Sequence, residues 1–126
     1  MFRETRNWIG FFVTTTILKL MQLQNIIGAT LRQLETLLLH VTDEQYAQQL
    51  AVLSDNSIGQ HIRHIVEMFE CLEKGFERGY VCYEDRERSR DLESVRELAI
   101  VRVNALLTAP ARPDKPIVLA GYYDEQ

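Results

Sequence analysis

Cysteine, proline and histidine are all scarce in this chain: two, three and three among 126 residues. Two cysteines, Cys71 and Cys82, with no clear export signal, do not make the disulfide framework of a small secreted domain. Free thiols in a reducing cytosol are the expectation. The prolines, Pro110, Pro113 and Pro116, all lie near the C-terminal end, so nothing before them is barred from helix. There is no Gly-rich phosphate loop, Cys-x-x-Cys motif, nucleophile elbow or internal repeat. Basic residues are not in excess: 14 Lys and Arg stand against 18 Asp and Glu, a net charge of −4. That balance speaks against a nucleic-acid binder. The apolar run near the start is too short to span a bilayer, so a cytoplasmic protein without a membrane partner is expected. What remains is ordinary for one globular domain with its own core: 46% apolar and 25% charged residues.

The most organised stretch runs from Ser57 to Arg78. Ser57 followed by Gln60 is a capping-box pattern. Ile58, Ile62, Ile65, Phe69, Leu72 and Phe76 recur at steps of three and four, which predicts an amphipathic helix. Arg63, Glu67, Glu70, Lys74 and Glu77 fall elsewhere on it. At about 100° per residue, His61 sits at the border of the apolar stripe and His64 further round, so both can face an interior edge. There an imidazole serves either as a metal ligand or as a polar group hydrogen-bonded to a neighbour such as Glu67 or the Tyr83–Arg88 segment. A zinc site that joins His64 to Cys71 is disfavoured by spacing, because seven residues of helix separate them by about 10 Å.

The stretch SIGQHIRHIVEMFECLEKGFERGYVCYEDRERSRDLE resembles the second-helix region of DinB-like (DinB/YfiT-like) metalloenzymes. The Ser-Ile-Gly-Gln opening and the His two turns into the helix carry the likeness, as does Tyr83-Glu84-Asp85-Arg86-Glu87-Arg88, which looks like that family's Tyr-Asp-x-Arg-x-Arg segment. The resemblance implies an all-α, up-down four-helix bundle. Its metal site combines one His of the second helix with a His-x-x-x-His pair on the fourth. By resemblance, His64 is a ligand, His61 a second ligand or its neighbour, and Tyr83, Arg86 and Arg88 lie at the site edge. The implied cofactor is a divalent metal (zinc, nickel or iron), and the implied co-substrate is a small-molecule thiol whose pKa the metal lowers. No histidine follows His64. The expectation is therefore a bundle domain over residues 21–126, incomplete at its C-terminus, with about three long helices and an incomplete metal site. The alternative is a metal-dependent thiol transferase or hydrolase whose site is completed across a homodimer.

The rest of the chain supplies the other helices. Leu20, Leu23, Ile27, Leu31, Leu34 and Leu38 predict a helix from Leu20 to His40, where a protonated imidazole would favour the negative end of the helix dipole. Thr42 and Gln45 form a second capping-box pattern. Residues 46–56 read as a loop anchored by Leu50, Val52 and Leu53. Residues 79–83 read as an apolar link. A third long helix, capped by Asp91 or Ser94, is expected to run to Thr108, with Leu92, Val95, Ala99, Val103 and Leu106 as its stripe. Ile117–Ala120 reads as a short extended piece. Residues 1–20 stand apart: a basic start, then Trp8 to Val13. They read either as an extension upstream of a natural start at Met21 or as extra helix packed on the bundle.

Overall fold

A computed structural model describes residues 24–121 of the chain. The reading of residues 1–20 lies outside the described residues. The first helix, α1, occupies residues 24–40. It is followed by α2 (Asp43–Ala47), β1 (Gln49–Leu50), a 3₁₀ turn (Ala51–Leu53), β2 (Asn56–Ser57) and the long α3 (Ile58–Arg78). Then come β3 (Tyr80–Cys82), a second 3₁₀ turn (Tyr83–Asp85), α4 (Asp91–Ser94), α5 (Arg96–Thr108) and β4 (Val118–Ala120). The described chain is mostly helical.

Both capping boxes form. Thr42 and Gln45 exchange bonds of 3.1 and 3.0 Å, and Ser57 and Gln60 exchange bonds of 3.1 and 2.9 Å. Each satisfies two backbone donors that a helix start otherwise leaves without a partner. Gly79 ends α3 at φ +79°, in the left-handed region that glycine enters without a Cβ penalty, and its N–H reaches Gly75 O at 2.9 Å. The chain then turns straight back onto the helix it has left. At Gly75 a Cβ would stand 2.6 Å from the Tyr80 carbonyl oxygen, so the position admits only glycine.

Two short ladders brace the helices. β1 pairs antiparallel with β2, Gln49 opposite Ser57, and β3 pairs parallel with β4, Val81 opposite Leu119. The extended reading of the C-terminal piece thus holds over Val118–Ala120. The expected third helix is divided instead: α4 ends at Val95, whose backbone is extended (φ −104°, ψ 94°), and α5 begins immediately after it.

Arginine–carboxylate pairs report the helix directions. Arg63 pairs with Glu93, Glu70 with Arg102 and Glu77 with Arg112. Positions along α3 and along the 93–112 segment advance together, so α3 and α5 run parallel. Arg96 Nη1 donates to Leu38 O at 2.8 Å, while Gln24 Nε2 donates to Arg112 O at 3.1 Å. Hence α1 runs opposite to α5. The expected up-down alternation gives way at α5, because the segment from β3 to α4 carries the chain back along α3 before the next long helix starts.

The core comprises Leu38, Tyr46, Ile62, Val66, Leu92, Ala99 and Val103. Tyr46 is fully buried and its hydroxyl donates to the Leu92 carbonyl. Burial first, then the nearby Glu93 carboxylate, pushes its pKa up to about 12. Tyr46 is the anchor of the 46–56 region. The expected anchor Val52 is 87% exposed, in the 3₁₀ turn between β1 and β2, whereas the expected anchors Leu50 and Leu53 are half-buried. The apolar stripe read for α3 is also rotated. The helix buries Gly59, Ile62, Val66, Glu67, Cys71 and Gly75, whereas Leu72 and Met68 remain 39% and 48% exposed.

Candidate functional site

The chemistry-bearing residues converge on the middle of α3, and the arrangement starts from a buried charge. Glu67 is 1% exposed. An ionised carboxylate at that depth is costly unless it is paired and hydrogen-bonded. Its Oε2 accepts from Arg86 Nε at 3.1 Å, and its Oε1 accepts from the Ser89 backbone N–H at 2.9 Å. Arg63 Nε stands 3.8 Å from Oε1, beyond hydrogen-bond range, and is itself buried without an acceptor, although the same guanidinium pairs with Glu93 through Nη1. The 83–89 segment is thus folded over α3 by one carboxylate.

Arg86 extends the arrangement outward. Its Nη1 donates to Tyr83 O at 3.0 Å, and its guanidinium carbon lies 3.9 Å from the Tyr83 ring centroid, a stacked cation–π contact. Tyr83 Oη in turn lies 2.8 Å from His64 Nδ1. Glu67, Arg86, Tyr83 and His64 therefore form one connected series from the buried face of α3 to solvent. If His64 Nδ1–H donates to Tyr83, Nε2 presents a free lone pair; if Tyr83 donates, Nε2 carries the proton. In either case Nδ1 is engaged, and Nε2 is the nitrogen left for an outside partner.

His61 and His64 are both exposed on α3, not at the interior edge. The reason is the rotation of the helix: the buried sector is centred on Ile62 and Val66. Of the three site-edge residues, Tyr83 and Arg86 join His64, whereas Arg88 is exposed and makes no ion pair among the described residues. The alternating charge run is thus internally paired at Arg86 and solvated at Arg88. Lys74 and Glu87, 3.5 Å apart, form a surface pair. At the end of α1, His40 Nδ1–H donates to Thr36 O at 2.7 Å.

Two imidazoles three positions apart are not by themselves a metal site. Among the described residues, no three His, Cys, Asp or Glu side chains come together in a way that could hold an ion. The described part of α3 offers two imidazoles, His61 and His64, where the resemblance implies three nitrogens. The cysteines are occupied locally. Cys71 Sγ–H donates to Cys82 O at 3.3 Å, and Cys82 Sγ–H donates to Glu84 at 3.5 Å. Burial above all, with the Glu84 carboxylate adding to it, raises the Cys82 thiol pKa against the opposing backbone N–H groups of Asp85 and Glu84. Such a thiol is a poor nucleophile.

Ser89 escapes sequence reading, since it contributes through its backbone N–H and not its side chain. Glu67 carries one signal, an acidic residue beside the apolar positions of a strongly patterned helix. No helix among the described residues is long and apolar enough to cross a membrane. No protein-family model, curated protein or solved structure matches the chain.

Proposed function

We propose that this chain is a DinB-like helical-bundle domain that has an incomplete metal site and acts as a binding or assembly module and not as a self-contained enzyme. The observation that carries this reading is the engagement of Glu67 by Arg86 and Ser89 N–H. It gives the site-edge residues a structural role, in which Arg86 neutralises a buried carboxylate and Tyr83 packs on Arg86 and positions His64. The layout of the resemblance, with His64 two turns into α3 and the Tyr83–Arg88 segment folded beside it, supports the DinB-like assignment.

A second reading is favoured by one detail. An imidazole whose Nδ1 is held by another side chain is oriented as metal-ligating histidines commonly are, and Tyr83 does this for His64. A divalent metal (zinc, nickel or iron) would then need further ligands from a second copy, and the chemistry it supplies would be activation of a small-molecule thiol. Elemental analysis of the purified full chain and of His64→Ala separates the two readings. The expected outcome is no stoichiometric metal in either, with the same cooperative unfolding. A stoichiometric metal that His64→Ala abolishes, in a dimeric protein, would overturn the first reading for the second.

A further inference from the structure

A groove of about 400 Å³ lies between the start of α1, the end of α3 and the proline-bearing segment that follows α5. From His64 to Leu72, its nearest wall, is roughly 12 Å along α3 at 1.5 Å per residue, so the groove is separate from the series that ends at His64. Ile27, Leu31, Leu72, Phe76, Leu106 and Leu107 line it. Leu31 is buried, whereas the other five are half-buried or exposed, so the apolar wall is only partly covered.

Arg112 holds the far wall in place. It donates to Glu73 Oε2 at 3.3 and 3.4 Å and to Glu77 at 2.6 Å, while its carbonyl accepts from Gln24. Charge around the groove balances: Arg32, Arg112 and Lys115 stand against Glu73, Glu77 and Asp114. A groove that is apolar within and has no surplus of either sign suits an apolar, uncharged occupant, because a charge buried without a partner is costly.

The chain carries such an occupant close by. Residues 7–18 (NWIGFFVTTTIL) include no charged residue, and they supply Trp8, Ile9, Phe11, Phe12, Val13, Ile17 and Leu18. Each aromatic side chain can remove about 150–250 Å² from water. Gln24, the first described residue, is itself part of the groove wall. Leu18 lies six residues before it, a span of roughly 20 Å at most. A tether of that length sets an effective concentration on the order of millimolar, far above that of separate copies in a micromolar solution. We infer that the groove is the seat of this chain's own residues 7–18, with their aromatic side chains against Leu72, Phe76 and Leu106.

Trp8 is the one tryptophan of the chain, so its fluorescence reports on this segment alone. In the full chain its emission should lie to the blue of free tryptophan and resist acrylamide quenching. Leu72→Gln, which places an amide in the groove wall, should shift that emission to the red at unchanged far-UV circular dichroism. Met68→Gln, one turn earlier on α3, more exposed (48% against 39%) and off the groove, should leave it unchanged. A photo-cross-linking benzoylphenylalanine in place of Phe12 reads the location with the wall intact: it should join residues 72–76 or 106–112 of the same chain. Water-exposed Trp8 emission in the full chain would overturn the inference. So would equal responses to Leu72→Gln and Met68→Gln, or cross-links that fall outside the groove. Cross-links between two chains would overturn it in favour of a second copy as the occupant.

Discussion

The two sides of α3 follow opposite rules. One side is closed by contact: Gly59 and Gly75 let neighbouring backbone approach, Ile62 and Val66 pack in the core, and Glu67 holds an arginine and a backbone N–H. The other side carries His61, His64, Met68 and Leu72, all exposed. The residues that specify how the helix docks are thus two glycines and a carboxylate, while several of its larger apolar and imidazole groups face outward. Docking is set by what fits and by what must be neutralised.

The sharpest way to break this contrast is Glu67→Ala. Removing one partner of a buried ion pair typically costs about 3–5 kcal/mol, because Arg86, with its side chain 10% exposed, is left without its counter-charge and the Ser89 N–H without its acceptor. Chemical denaturation should show that loss. Met68→Ala, one residue along, should change stability by no more than about 0.5 kcal/mol. Equal effects at the two positions would mean that the two sides are not different in kind. Next in size is Gly59→Ala. The added methyl would drive into the Glu93 carbonyl and the Tyr46 ring, and α4 would have to move. A cost of about 1–3 kcal/mol is expected, against the gain of a few tenths to 1 kcal/mol that the same change gives in an open helix.

How much of this can be read in the sequence follows the same division. Local signals are legible: both capping boxes, the existence of α1 and α3, the proline stop after α5 and the extended piece near the end. Each depends on residues adjacent in the chain. The rotation of α3 is not legible, because its apolar positions are broad enough to allow two docking faces. The choice between them is made by Gly59 against α4 and by Glu67 against Arg86, both long-range contacts. The break at Val95 is hidden for a related reason. Leu92 and Ala99 both belong to the core, and a continuous helical stripe through them is a fair reading until α4 is seen pressed onto Gly59. Of the candidate site, the joining of His64, Tyr83 and Arg86 agrees with the segment named from the sequence. The exposure of His61 and the solvation of Arg88 do not follow from any local pattern.

Tyr46 extends the comparison to the core. Its raised pKa means that the folded state favours the neutral phenol. The associated stability is fully present below pH 10.0, the ordinary tyrosine value, and is lost as pH rises towards about 12. Over that window the unfolded chain ionises at this position while the folded chain does not. Tyr46→Phe should cost about 1–2 kcal/mol at neutral pH through the unsatisfied Leu92 carbonyl. It should also flatten the part of the alkaline stability loss that Tyr46 supplies. Denaturation series at pH 8 and pH 11 on both proteins check this; a parallel decline in the two would remove Tyr46 as the source.

The smallest expected effect falls on the open side. Tyr83→Phe removes the hydroxyl from His64 Nδ1 but keeps the ring under Arg86. Stability should change by less than about 0.5 kcal/mol, since the bond lies at an exposed position where water replaces the lost partner. The imidazole itself should respond. With Nδ1 released, His64 loses its tautomer preference, and its ring ¹⁵N shifts, read by NMR, should move towards those of His61, for which no hydrogen-bond partner appears among the described residues. The distinction is between a histidine that is merely exposed and one that is exposed and held. If the two histidines already show the same tautomer balance in the parent protein, Tyr83 does not position His64, and the series that begins at Glu67 ends at Arg86.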